Sequence, residues 1–453
     1  MATHETLAAK VDQLFAEWDK SDSPGAALAI VKDGEIIYKQ GYGTANLEYD
    51  IPITTTTIFD IASVSKQFAG FAIATLSHEG KFSLDDDIRT YLPDVPDFGS
   101  TITIRHLSHH TSGLRDWVQS LVIAGDMMDD VISFKHILRM ARHQKTLNFE
   151  PGSEFLYSNT GYNLLAEIVE RVTGDSFRDW TDTHIFKPLG MANSHFHDDY
   201  EMILKNRAYS YQADENGGYK HAVNNTTALG SSSLYSTVED LAKWILNFDH
   251  TRIGEQAVIE QMHQRGVLND GEQIDYAFGL NIGEYRGLKT VGHSGSWRGF
   301  RSHLTRFPDQ KFGVVILCNL DTFNPLSLAE KIADFYLVDV LASVEASESE
   351  KVAEPDESIK SEPLSPEQLT EFEGDYYTEE LDTTYTIVRH EGGLVAQHRR
   401  HDDIVLTYTD GHFRGDAWFF PEIHFLRDDT GRVTGFRLTG NRVRNLHFEK
   451  KIH

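Results

Sequence analysis

Apolar positions near the start of the chain change period twice. Between 4 and 19, Leu7, Val11, Leu14, Phe15 and Trp18 recur at helical spacing while Asp12, Glu17 and Lys20 fall off that face, which predicts an amphipathic helix. The apolar run 26–31, then Lys32-Asp33-Gly34, then Ile36-Ile37-Tyr38, predicts a hairpin, because Asp-Gly readily adopts the positive φ of a tight turn. From 61 to 79 the pattern is helical again, and Gly80 ends it. Residues 85–250 read mostly as helices broken by Gly, Pro and Ser clusters, among them 164–172 and 238–248. Strand-like runs resume at 275–283, 289–293, 300–307 and 312–318, and 329–344 reads as a closing helix. Strands at both ends of a helical middle predict one sheet built from the two ends, with an inserted helical lobe.

The pattern then breaks. Residues 345–366 hold acids, serines and prolines with little to bury, the composition of a linker. Beyond it, short strand-like runs at 384–388, 394–398, 404–408, 418–420, 424–427, 433–438 and 443–449 are separated by turns such as Glu391-Gly392-Gly393 and Thr409-Asp410-Gly411. Regular short strands predict a small antiparallel barrel or sandwich. The expected fold class is therefore α/β in the α+β sense, with a first domain at 1–344, an acidic linker at 345–366 and an antiparallel β-barrel at 367–453.

Charge narrows the function. Lys plus Arg number 42 against 69 Asp plus Glu, a formal balance of −27, which opposes nucleic-acid binding through phosphates and adsorption to anionic membranes. No apolar run approaches the ~18 residues of a membrane helix. The opening Met1-Ala2-Thr3-His4-Glu5 lacks the basic-then-apolar pattern of a leader, so the expected location is cytoplasmic. The single cysteine, Cys318, sits in the run Val314-Val315-Ile316-Leu317 and is expected as a buried strand thiol.

Three short segments carry candidate chemistry. In Ser63-Val64-Ser65-Lys66 a separation of three sets serine and lysine on one helical face, and a desolvated lysine can deprotonate a serine. A helix start adds N–H groups for a developing oxyanion. Tyr157-Ser158-Asn159 supplies a tyrosine able to act as general base and an amide able to bind a substrate carbonyl. In Gly292-His293-Ser294-Gly295-Ser296, glycines admit a substrate backbone to a strand edge, and the Ser296 N–H can pair with that of Ser63 as an oxyanion site. Each alone has a bland reading: a capping serine with a surface lysine, a turn tyrosine, an ordinary glycine-rich turn.

Together, the ordered trio Ser63-x-x-Lys66, Tyr157-x-Asn159 and His293-x-Gly295 resembles the serine β-lactamase and penicillin-binding-protein superfamily. Pro24-Gly25-Ala26-Ala27, Phe59-Asp60-Ile61-Ala62 and the run from Ile104 to Leu114 support the resemblance, which covers about 6–340. The most similar branch holds class C β-lactamases, D-aminopeptidases, alkaline D-peptidases and carboxylesterases. The resemblance implies a sheet flanked by helices, with Ser63 as nucleophile, Lys66 and Tyr157 as its base system and His293 beside them as a further catalytic-site residue. Asn159 positions the acyl group, and Gly295 and Ser296 lie along the substrate. It further implies acyl transfer to water through an acyl-enzyme, on small peptides or amino-acid amides, D-residues included, with neither metal nor organic cofactor. A carboxylesterase with weak β-lactamase activity and an inactive binding relative are the alternatives.

His293 departs from the lysine that β-lactamases carry there, which weakens a fixed cation for a substrate carboxylate, though Arg298 and Arg301 could restore one. The 367–453 region resembles the lipocalin-like barrel appended to many members. It is expected to shape substrate choice without supplying a catalytic group. Homo-oligomerisation is left open. His398-Arg399-Arg400-His401-Asp402 has metal-like spacing, but its arginines repel a cation and a solvated hairpin is expected. His109-His110 is expected to structure its loop.

Overall fold

Strands from 26–42 and 281–318 meet in one six-stranded antiparallel sheet. It is seen in a computed structural model that describes residues 4–342 and 364–452. In chain order the strands are β1 (Ala26–Lys32), β2 (Glu35–Tyr42), β3 (Asn281–Tyr285), β4 (Leu288–Trp297), β5 (Phe300–Phe307) and β6 (Phe312–Cys318). Their order in the sheet is β3-β4-β5-β6-β1-β2, so β1 lies directly against β6 with Ala26 opposite Cys318. Four helices matter for the site: α1 (His4–Phe15), α2 (Lys66–His78), α3 (Asn159–Thr173) and α4 (Pro325–Tyr336).

The uninterrupted apolar run of β1 follows from burial on both faces. Leu28, Ile30, Ile316 and Cys318 pack with Val11 and Phe15 of α1 and with Leu328, Ala329 and Ile332 of α4. Ala27, Ala29, Val31, Val315 and Leu317 belong instead to the core with Phe68 and Ala72 of α2 and Leu165 of α3. Among the described residues no helix is long and apolar enough to cross a membrane.

Several boundaries differ from the sequence reading, each for a local reason. Helix α1 stops at Phe15, and Trp18 packs on Phe323 with ring centres 4.1 Å apart. The expected helix 61–79 opens with a tight 3₁₀ turn, Ala62–Ser65, before α2 proper. Residues 275–280 are irregular, and β3 begins only at Asn281. Helix α4 starts earlier than 329 because Asn324 accepts from the Ser327 N–H and Pro325 occupies the first turn, where its missing N–H costs nothing.

The C-terminal strands close into an eight-stranded barrel running from Gly374–Thr378 to Leu446–Lys450. Trp418–Phe420 is not a strand but a turn whose Phe420 is buried inside the barrel core. Strands Gly374–Thr378 and His412–Gly415, five and four residues long, complete the count. Val122 and Ile123, from the helix Trp117–Ala124 of the first domain, are part of that same core, and the Tyr385 hydroxyl donates to the Ile123 carbonyl. Most of the expected linker, 345–363, lies outside the described residues. Its last residue, Pro366, already belongs to the helix Pro366–Thr370, capped reciprocally by Ser365 and Gln368.

Candidate active site

The segment 57–62 reaches the end of a two-residue strand, Phe59–Asp60, and turns sharply into the 3₁₀ turn that carries Ser63. Ser63 is the one residue of 61–70 that is not buried. It is not a helix cap: that position falls to Ser65, which makes no capping bond to the helix. Ala62 holds φ +48°, a left-handed value costing a non-glycine residue about 1 kcal/mol.

Lys66 is fully buried one turn on. Its Nζ lies 3.0 Å from Ser63 Oγ, 2.7 Å from Asn159 Oδ1 and 2.7 Å from the Ser231 carbonyl. Burial holds its pKa well below that of a free lysine; Asp116 opposes the shift and the charge of Arg442 adds to it. The neutral amine has two hydrogens, which suit the two carbonyl acceptors, and a lone pair, which then faces the Ser63 hydroxyl. That is the arrangement of a base.

Tyr157 is half-buried and lines the same cavity as Ser63, its ring centre 4.8 Å from Lys66 Nζ. Burial raises its pKa, with Ser63 and Arg442 acting against the shift, so the resting group is a phenol rather than a phenolate. Proton relay suits it better than primary base. Asn159 opens α3; its backbone N–H and Nδ2 both donate to Asp116 Oδ2, at 2.7 and 2.8 Å. Its amide oxygen is committed to Lys66, which leaves one N–H for a substrate carbonyl.

In β4, residues 288–292 pair with β3 on one side, while 293–297 pair only with β5. The free edge of 293–297 borders the site. Gly295 is required there for a reason other than substrate clearance: a Cβ would stand 2.4 Å from the Ile61 carbonyl oxygen and 3.0 Å from the Ser63 nitrogen. The strand and the turn that carries Ser63 thus touch backbone to backbone. Ser296 is exposed on this edge. His293 is buried; Tyr276 Oη lies 3.0 Å from its Nε2 and the Ser294 carbonyl 2.6 Å from its Nδ1. Burial, aided by Lys66, pushes its pKa down to about 3, so the ring is neutral across the physiological range.

These side chains open on a cavity of about 710 Å³ lined by Ser63, Tyr157, Asn159, His293, Gly295 and Ser296, with Lys66 beneath. Trp117, Trp297, Phe323 and Leu326 add apolar wall, and Arg301 and Arg442 add cations. Among the described residues no Asp or Glu lines it. Arg298 turns away, its Nε donating to the Val223 carbonyl.

Sequence reasoning missed Asp116, Tyr276 and Arg442, and gave His110 a loop role only. Asp116 looks like a helix cap and is one, since one oxygen accepts from Val118 N–H; the other oxygen orients Asn159. His110 does structure its loop, accepting from the Ser158 N–H, and its ring stacks 4.2 Å from that of Tyr157. Tyr276 supports His293. Arg442 comes from a barrel turn whose carbonyl accepts from Asp116 N–H and whose N–H donates to Gln119. No local pattern marks it. The 398–402 hairpin is solvated at Arg399, Arg400 and Asp402, whereas its histidines face inward: His398 is buried beside Gly125 and bonded to Thr383, and His401 bonds the Val122 carbonyl.

The family model described as Beta-lactamase matches residues 9–337. A D-aminopeptidase of Gluconobacter oxydans (strain 621H) is 30% identical over 309 residues, 68% of this chain and 57% of that protein. A D-aminopeptidase of Brucella anthropi is 30% identical over 329 residues, 73% of this chain and 61% of that one. The chain thus spans about three fifths of the length of these curated relatives. An octameric penicillin-binding protein homologue from Pyrococcus abyssi aligns over 98% of this chain and 99% of its own, with TM-score 0.67 and 26% identity. The crystal structure of SurE with D-Leu aligns over 99% of both chains, with TM-score 0.58 and 21% identity, a likeness of fold.

Proposed function

Because the chain belongs to the Beta-lactamase family, we propose that it is a serine hydrolase cleaving small peptides or amino-acid amides through an acyl-enzyme on Ser63. The observation that carries this reading is the contact of 3.0 Å between Ser63 Oγ and the fully buried Lys66 amine. Ser63 Oγ attacks the scissile carbonyl carbon as its proton passes to Lys66. The carbonyl electron pair moves onto oxygen, held by the N–H groups of Ser63 and Ser296. Collapse breaks the C–N bond, and the leaving amine takes a proton relayed from Lys66 through Tyr157. Water then gives its proton to the same base and attacks the Ser63 ester, and collapse releases the acid as Lys66 returns that proton to Ser63 Oγ. No metal or organic cofactor enters these steps.

The relatives named D-aminopeptidase support an amide substrate with D-residues among those accepted. Within that reading the cationic lining, Arg301 and Arg442, ranks small peptides with a free carboxylate above amino-acid amides, whose protonated amino group it repels. Similarity to a homologue described as octameric supports self-association, which light scattering on the purified chain would measure. A fluorophosphonate probe should label wild type on the peptide containing Ser63 and fail on Ser63→Ala. Labelling of Ser294, or retained labelling in Ser63→Ala, overturns the assignment. D- and L-aminoacyl anilides, carboxy-terminal dipeptides, short acyl esters and nitrocefin then rank the substrates. A second reading, carboxylesterase with weak β-lactamase activity, is favoured by the neutral His293; faster turnover of esters than of every amide would select it.

A further inference from the structure

The peptide unit between Ile61 and Ala62 is gripped at both ends by side chains. Its carbonyl oxygen accepts from Ser302 Oγ at 2.7 Å, and its N–H donates to Asp60 Oδ1 at 2.8 Å. Directly after it comes Ser63, and Ala62 is the strained left-handed residue. Asp60 is buried, and its second oxygen accepts from Asn224 Nδ2 at 2.8 Å. The other end of the Asn224 amide accepts from Trp297 Nε1 at 3.0 Å and from Thr226 N–H at 3.2 Å. Indole and backbone N–H groups only donate, so the Asn224 oxygen must face them and its nitrogen must face Asp60. Trp297 follows Ser296 in β4.

We propose that Asp60 and Asn224 are positioning residues that set both oxyanion donors, the Ser63 N–H through Ala62 and the Ser296 N–H through Trp297. This rests on Ser63 being the nucleophile. Among the described residues the charged or titratable groups that act on the buried Asp60 carboxylate are Arg207 and Tyr235, so it is costly to maintain for packing alone. As an acceptor from both sides it has no isosteric substitute. An asparagine at position 60 would aim an N–H either at Ala62 N–H or at the Asn224 amide, donor against donor. Exchanging the two residues removes the conflict. The amide then at position 60 accepts from Ala62 N–H and donates to the carboxylate then at position 224, whose oxygens also accept from Trp297 and Thr226.

Fluorophosphonate inactivation tests this without knowledge of the substrate, because the probe forms a bond from phosphorus to Ser63 Oγ, expels fluoride and leaves a tetrahedral adduct whose oxygen occupies the oxyanion site. The expected result is that Asp60→Asn lowers the inactivation rate constant at least about tenfold with the probe's half-saturation unchanged, and that the double variant Asp60→Asn/Asn224→Asp returns to within about threefold of wild type. Wild-type rates in Asp60→Asn, or no recovery in a folded double variant, overturn the proposal. Should Asp60→Asn not fold, Trp297→Phe deletes one donor at the far end of the same chain of bonds; it should slow inactivation severalfold, and an unchanged rate overturns the proposal equally. A wild type labelled away from Ser63 defeats the functional reading itself, which separates the two failures.

Discussion

The guanidinium of Arg442 stands 5.0 Å from the ring centre of Tyr157 and 3.9 Å from the carboxylate of Asp116. A barrel turn and the helix start at Asp116 therefore share one site. The fixed charge acts on the proton affinity of both Lys66 and Tyr157, lowering each.

Arg442→Met should lower kcat/KM about tenfold for carboxylate-bearing substrates relative to neutral esters of equal size. A full charge about 4 Å from a carboxylate contributes roughly 1–4 kcal/mol depending on the effective dielectric. Steady-state rates on both substrate types measure the ratio; an unchanged ratio would assign the anchoring to Arg301.

Glu380 of the barrel pairs with Arg115, at 2.9 Å with both side chains buried. Removing one partner strands a buried charge, so Glu380→Ala should destabilise the protein by about 3–5 kcal/mol. The double variant Arg115→Met/Glu380→Leu should regain most of that in chemical denaturation. A chain ending near Ser343 leaves Arg115 in the same state and removes Arg442. We expect it to react more slowly with acylating probes, an effect beyond the substrate choice that the sequence led us to expect of the barrel.

Lys66→Ala should reduce probe labelling by at least ~10² and abolish the acid limb of its pH profile. The lysine is neutral in the folded chain above its lowered pKa and protonated in the unfolded chain up to about 10.5. The unfolded state thus binds the extra proton, and stability rises with pH through that window. Denaturation midpoints for wild type and Lys66→Met should differ in slope over this range.

Acid should unfold the protein early. Burial lowers His293 to about 3 and His109, His195, His197, His263, His303 and His398 to about 4, from 6.5. Between those values and 6.5 the unfolded chain takes up more protons, so stability falls as pH drops through the window. Thermal scans from pH 7 to 4.5 should show a steepening loss. Carboxylate against ester preference should meanwhile show no change from His293 between pH 7.5 and 6.

Local spacing made Ser63 and Lys66 legible, because a helix brings positions three apart together whatever else the fold does. Strand runs 312–318 and 26–31 were legible because burial on both faces leaves an unbroken apolar stretch. Asp116, Tyr276 and Arg442 were not, since their roles arise from contacts between segments far apart in the chain. Gly295 was noticed as room for a substrate, while its close approach to the Ile61 backbone, set by a segment far away in the chain, was not legible. Phe419 and Phe420 imitated a strand because a turn that fills a barrel is as apolar as a strand that lines one.

The pairing of β1 with β6 has a temporal meaning during biosynthesis. Ala26–Lys32 emerges from the ribosome among the first segments, yet its neighbour Phe312–Cys318 emerges only after the whole helical lobe. Until then the first hairpin has an apolar edge with no strand to cover it, a state open to misassembly and to chaperone capture. Ser63 and Lys66 wait longer still, for the turn that brings Arg442. A partly made chain thus carries Ser63 and Lys66 well before the cavity above them has its full wall.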